Sequence, residues 1–419
     1  MQKNFIKCIL TISTIGLLFT GCSNGTDSTS ETKNTVDNNA VNNKIELTIW
    51  AGEEDKDYIA AVTKNFIEEN KDEADITIEW SPMVEGECRS YLLGDILNGP
   101  DVYTTTDGDL QSIVAGGAAS PVIEPDEIKS ANIEPAVNAM TINDTIYGYP
   151  ITADNGYFLY YNKEYLSDND VKSLDRILSV AAKNNKKFAM DFSSGWYLYS
   201  FYGQTGLKIG LNEDGVTNFC DWNSTKNSIK GTDVANALMA IGRNKGFKST
   251  TKWIDGIKKG EVIACVSGVW DESAIKAAWG ENYAASMLPT YTCKGKQIQM
   301  SCYFGYKMLG VNPYSKNIDW AHKLAYYISN EENQKLRFKM RGQGPSNINA
   351  ANSDEVKKAQ AVQAVIAQSE YSELQRLGAN FWDPATEFGN QMAKGSVGKQ
   401  NLQEILDKMV KKITASTVE

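Results

Sequence analysis

The sequence predicts an α/β fold organised as two lobes. Three observations carry this expectation. Stretches of strict apolar alternation are interleaved with stretches of helical spacing. The 419 residues exceed one ordinary domain and suit two, at about 150 residues each. No period of 20 to 50 residues repeats along the chain, which sets solenoids and propellers aside.

Residues Met1 to Gly21 read as an export signal, with Lys3 and Lys7 ahead of an apolar run from Ile9 to Phe19. That run falls short of the roughly 20 apolar residues a bilayer core demands. It ends in Leu18-Phe19-Thr20-Gly21-Cys22, which resembles the lipobox of bacterial lipoproteins, with Phe19 where Leu is usual. The resemblance implies lipidation of Cys22 as the mature N-terminus. Residues 22–44 are almost wholly polar, interrupted by Val36, Ala40 and Val41, and cannot bury a core. They are expected to form a tether of roughly 25 Å root-mean-square span. Together these features predict an extracytoplasmic protein held to the cell membrane by lipid, and the Asn-rich tether suits a Gram-positive surface.

The body opens with alternation over Ile45, Leu47 and Ile49, helical spacing over Ile59, Val62 and Phe66, and alternation again over Ile76 and Ile78. A helical stretch with Tyr91, Leu92, Ile96 and Leu97 leads to a strand over Pro100 to Thr105. This strand, helix, strand order predicts right-handed crossovers, with ligands outside the carboxyl ends of the strands. Those ends carry Trp50 with Glu53, Glu54 and Asp55, then Trp80 with Glu85, then Tyr103 with Asp107 and Asp109. Further strands are expected over Tyr157 to Tyr161 and Lys187 to Phe192, and a helix presents Trp320, Leu324, Tyr327 and Ile328. Asn401 with Glu404 fits a capping box ahead of a helix bearing Leu402, Ile405, Leu406, Met409, Val410 and Ile413.

A formal charge of −10 without any dense Lys/Arg run argues against a nucleic-acid partner. Cysteines 88, 220, 265, 293 and 302 include no Cys-x-x-Cys, and His322 is the single histidine, so neither a metal nor a cofactor is expected. Buried thiols are the default, with a Cys293 to Cys302 disulfide the one alternative. No Gly-x-Ser-x-Gly elbow occurs, and Gly395 to Gln400 lacks the spacing and the Ser/Thr of a phosphate loop, so no catalytic residue is assigned. Nine Trp and twenty Tyr point instead to sugar: pyranose faces stack on rings while carboxylates accept from edge hydroxyls.

From Lys44 to about Ser416 the chain resembles the extracellular solute-binding proteins of family 1, and within them the maltose/maltodextrin-binding proteins of sugar ABC importers. The resemblance rests on Leu47-Thr48-Ile49-Trp50, Gly99-Pro100-Asp101-Val102, Tyr147 to Ile151 followed by Asp154 to Lys163, Ser267-Gly268-Val269-Trp270, and Phe381-Trp382. It implies a two-lobe fold of the type II periplasmic-binding-protein kind, with ligand in the inter-lobe cleft and closure by hinge motion. The implied N-terminal lobe spans 45–152 and 307–349, the C-terminal lobe 153–306 and 350–419. The resemblance further implies a non-enzymatic monomer that delivers maltodextrin-like α-glucan oligosaccharides to ABC permease subunits.

Carried over residue by residue, Trp50 and the acidic cluster Glu53 to Asp55 would line the first-lobe wall. Asp107 or Asp109, and Asp154 or Asn155, would bond sugar hydroxyls. Trp196 with Tyr197, Trp270 and Trp382 would form a stacking platform. Ser194-Gly195-Trp196 stands where the family often has Glu-Pro-Tyr, so a carboxylate is missing there. Trp222, Trp253, Trp279 and Trp320 are assigned to packing, and Arg341 to a loop without ligand contact. Two further classes stay open: a glycan-degrading lipoprotein using a carboxylate pair, and an adhesion scaffold.

Overall fold

The computed structural model describes residues 44–416. The export signal, Cys22 and nearly all of the tether therefore lie outside the described residues. Ten strands build two five-stranded sheets. β1 (Lys44–Ala51) opens the chain as the alternation predicts: Ile45, Leu47 and Ile49 are buried while Glu46 and Thr48 are exposed. α1 (Lys56–Asn70) buries Ile59, Val62 and Phe66 along one stripe. β2 (Asp75–Pro82), α2 (Glu85–Gly94), β3 (Val102–Thr106) and β4 (Tyr149–Thr152) follow. The apolar stretch from Tyr91 to Leu97 is not one helix, because α2 stops at Gly94 and a separate turn spans Ile96–Asn98.

The second sheet comprises β5 (Phe158–Asn162), β6 (Lys187–Met190), β7 (Phe247–Ser249), β8 (Val262–Ser267) and β9 (Tyr283–Ser286). α3 (Leu174–Lys183) and α4 (Glu272–Trp279) belong to the same part of the chain. β10 (Lys307–Val311) then returns to the first sheet. After it come α5 (Ile318–Ile328), α6 (Glu331–Arg341), α7 (Gln360–Ser369), α8 (Trp382–Ala393) and α9 (Leu402–Ile413). Asn401 caps α9 by accepting from the Gln403 N–H at 2.9 Å, one position earlier than a capping box would place it.

The first sheet runs β2-β1-β3-β10-β4 and the second β7-β6-β8-β5-β9. In each, the first three strands are parallel and the fourth runs against both its neighbours. The reversed strand is the one by which the chain arrives from the other sheet: β5 after the crossing from Thr152, β10 after the crossing from Phe304. Two main cores result, one with each sheet and with Phe304 touching both, and a smaller cluster gathers around Cys88, Leu92 and Tyr103.

Trp222, Trp253 and Trp279 are buried in the second core, and Trp320 packs edge-on against Phe66 at 6.3 Å. His322 is a satisfied core histidine, held by Ser120 Oγ (3.0 Å) and Tyr149 OH (2.8 Å). Cys293 and Cys302 are separate buried thiols, so the disulfide alternative is corrected: each sits in the apolar second core. Among the described residues, no helix is long and apolar enough to cross a membrane.

Candidate functional site

Both sheets turn the carboxyl ends of their parallel strands toward one cleft of about 420 Å³. Glu54 lies in the turn after β1, Glu85 and Gly86 start α2 after β2, and Thr106 ends β3. From the second sheet, Trp196 follows β6, and Trp270 with Asp271 occupies the turn between β8 and α4. Asn155 lies on the crossing after β4. Lys307 begins the reversed β10 and so arrives at the same end, and Arg341 closes α6.

The two walls differ in chemistry. On the second-sheet side, the Trp196 and Trp270 rings lie 5.7 Å apart at 34°, a tilted aromatic shelf. Tyr157 backs this shelf, its ring 4.7 Å from that of Trp196 and its hydroxyl donating to the Trp196 carbonyl at 2.6 Å. Asp271 stands beside the shelf. One of its oxygens accepts from Ser267 Oγ (2.6 Å) and Trp253 Nε1 (2.7 Å), which fixes the carboxylate.

The opposite wall is polar. Lys307 Nζ donates to Glu85 Oε1 at 2.8 Å, both side chains only 8% exposed. Burial pushes the Glu85 carboxyl up, but the charge and hydrogen bond of Lys307, with Arg337 behind it, outweigh that and hold it below its ordinary range. Asp55 is buried, with Oδ2 accepting from Arg337 Nη2 at 2.5 Å and Oδ1 from Arg341 Nε at 2.9 Å. Arg337 also donates to Gln343 Oε1 at 2.8 Å. Arg341 is thereby held at the cleft edge, while its own Nη2 is buried without a partner.

Two carboxyls sit at the crossings. Asp107 accepts from the Tyr306 N–H at 2.8 Å and Asp154 from the Gly344 N–H. Each leaves its second oxygen buried and unpartnered. Burial pushes both pKa values up to about 6, against the lowering effect of those backbone donors. Gly305 lies between Asp107 and Asn155: a Cβ there would meet Asp107 Oδ1 at 2.6 Å and Asn155 Nδ2 at 3.3 Å.

Of the residues named from sequence, Asn155, Trp196 and Trp270 line this cleft together. In the acidic cluster it is Glu54 that does so. Glu53 is exposed to solvent, and Asp55 is committed to the two arginines. Trp50 packs half-buried against the Cys88, Leu92 and Tyr103 cluster. Asp109 pairs with Arg89 at 3.0 Å, and Tyr197 is buried against Tyr157 and Trp253. Trp382 begins α8, whose neighbouring Phe381 and Ala385 abut Gly195, one residue before Trp196. Asp271, Thr106 and Lys307 were missed, and only Trp270's neighbour was adjacent to a motif. Arg341 is corrected from a loop residue to the last residue of α6 and a cleft wall residue, because Asp55 draws it inward.

A family profile described as bacterial extracellular solute-binding protein matches residues 61–364. The galactooligosaccharide-binding protein of Bacillus subtilis (strain 168) is 25% identical over 339 residues, 78% of this chain and 79% of that protein. A maltooligosaccharide ABC transporter solute-binding lipoprotein of Streptococcus pneumoniae serotype 4 is 23% identical, covering 81% and 82% respectively. A solved structure described as being with acarbose superposes with a TM-score of 0.80 at 28% identity, over 88% of this chain and 99% of the other. The maltodextrin-binding protein MalE1 from L. casei BL23 without ligand gives 0.75 at 24% identity, over 88% and 99%.

Proposed function

We propose that this chain, which belongs to the bacterial extracellular solute-binding protein family, captures an oligosaccharide of the maltodextrin type in its inter-lobe cleft and passes it to the permease of an ABC importer. The observation that carries this reading is the Trp196 and Trp270 shelf facing a wall of Glu54, Glu85, Lys307 and Arg341. Rings take the apolar pyranose face; fixed carboxylates and cations take the hydroxyls at its edge. The type II two-lobe fold and the maltooligosaccharide names of relatives support it. Asn155 and Asp271 would bond hydroxyls, with Trp382 extending the shelf. The lobes would be 45–152 with 307–349, and 153–306 with 350–419. Ligand touching both lobes only when they are shut would shift an existing equilibrium toward closure. Titration with malto-oligosaccharides, followed by tryptophan fluorescence and by calorimetry, tests the reading; a panel that gives neither signal refutes it.

Cys22 would carry the lipid that keeps this receptor at the outer membrane face, on the tether before Lys44. Release of a Cys22→Ser variant into the medium is the expected outcome, and retention on the membrane would count against it. A second sugar is favoured by one specific finding, the similarity to a galactooligosaccharide-binding protein. Galacto-oligosaccharides therefore belong in the same panel, and tighter binding of these than of malto-oligosaccharides would reverse the assignment. Recovery of bound sugar unhydrolysed after long incubation separates a receptor from a carboxylate-dependent glycosidase.

A further inference from the structure

Arg341 stands at one limit of the cleft. Beyond that side chain lies a second hollow of about 520 Å³, formed by α4, by Tyr283 at the start of β9, by the end of α6 and by the segment leading into α7. Arg341 lines both hollows, and Asp271 in the first is followed in sequence by Glu272 in the second.

Charge separates the two. Glu54, Glu85 and Asp271 outnumber the cations of the first hollow. The second has four cations, Lys276, Lys339, Arg341 and Lys358, against Glu272 and Glu355, on a chain of formal charge −10. Among the described residues, none of the three lysines is ion-paired; Lys276 lies 5.8 Å from the Tyr283 ring centroid. Glu272 is engaged by the Tyr283 hydroxyl at 3.0 Å.

A second, independent observation points the same way. Arg341 spends Nε on Asp55, yet its Nη2 is buried with no acceptor in the protein. Buried polar groups in native proteins almost always have partners, and the planar guanidinium fork suits a carboxylate.

We propose that the second hollow extends the sugar cleft and receives a carboxylate carried at one end of the oligosaccharide, so that acidic oligosaccharides are preferred over neutral ones. The inference rests on the sugar-binding reading above. It assigns the ligand two dissimilar parts, a neutral stretch on the tryptophan shelf and an anionic end beyond Arg341.

Calorimetry on the whole exported protein with three tetrasaccharides tests it: maltotetraose, the same chain oxidised to the acid at its reducing end, and one oxidised at its non-reducing end, so that either chain polarity is covered. One of the acids is expected to bind about tenfold more tightly than maltotetraose at low salt, with the advantage falling toward parity near 1 M salt. In a Lys339→Gln, Lys358→Gln variant the same ratio is expected to fall to within about twofold of unity, while circular dichroism reports whether the variant is folded. Equal or weaker binding of both acids overturns the proposal, as does a ratio that salt and the double variant leave unchanged. Failure of maltotetraose alone refutes the neutral glucan reading and leaves a demonstrated acid preference standing; failure of all three refutes both.

Discussion

Removing the Asp55 carboxylate, as in Asp55→Ala, is expected to be among the most damaging single changes in the first lobe. Asp55 and Arg337 are 1% and 2% exposed, joined at 2.5 Å, with Arg341 on the other oxygen at 2.9 Å. Exposed ion pairs are worth about 0–1 kcal/mol, whereas deleting one partner of a buried pair costs about 3–5 kcal/mol, because the survivor is stranded in a low-dielectric interior. The burial here decides for the second figure. Arg337 would retain its hydrogen bond to Gln343, the face of Tyr58, whose centroid is 5.5 Å from the guanidinium carbon, and the more distant charges of Glu85 and Asp154, but no direct carboxylate partner. A cost of about 4 kcal/mol should lower the urea midpoint by roughly 1 M in a chain of this size. Urea unfolding monitored by circular dichroism measures it, alongside Asp55→Leu, Arg337→Met, which should recover most of the loss by removing the stranded charge. A midpoint shift corresponding to under 1 kcal/mol, or a double variant no better than Asp55→Ala, would refute this account.

Trp270→Ala should weaken sugar binding by about 1–3 kcal/mol by calorimetry, as for a buried aromatic anchor, and cost sugar-free stability less than truncating a fully buried Trp would, because the ring is half-buried at the core's edge. Gly268→Ala should lower affinity in the same assay without touching any sugar contact, since a Cβ there would lie 2.0 Å from the Trp270 ring. Burial favours the protonated form of Asp154 and raises its pKa to about 6, above the roughly 4 of an unfolded chain. The stability it contributes is therefore full below pH 4 and lost as pH rises through 6. Asp154→Asn keeps an acceptor for the Gly344 N–H, so thermal melts between pH 4 and 6 should show a flatter slope than the parent. An unchanged slope would count against that assignment.

Much of the frame was legible in the chain itself, because alternation and helical spacing are local. Ile45 to Ile49, the stripe from Ile59 to Phe66, and Asn401 before α9 lie where their patterns point. The site was legible in its aromatics and blurred in its charges. Glu53, Glu54 and Asp55 are consecutive on one tight turn, so their side chains diverge to solvent, cleft and core, and spacing cannot phase such a turn. Lys307 and Arg341 come to the cleft from more than 200 residues beyond Glu85 and Asp55, brought there by crossings that leave no local signature. Cys293 and Cys302 are the buried, unbridged thiols that the default reading expects, and nearness in sequence did not make them a disulfide.

The reversed fourth strands bear on how the molecule is made. The second sheet is contiguous, all five strands falling between Phe158 and Ser286, so it can assemble once that segment has emerged. The first sheet cannot. Its β3 and β4 are joined only through β10, which pairs Leu309 with Thr104 and Met308 with Pro150, contacts that wait for some 150 to 200 further residues. Long-range pairing of this kind is slow, since loop closure precedes any gain from it. The second sheet, in the middle of the chain, should thus assemble ahead of the first during synthesis or export, leaving β3 with an open edge that holdase chaperones would have to shield.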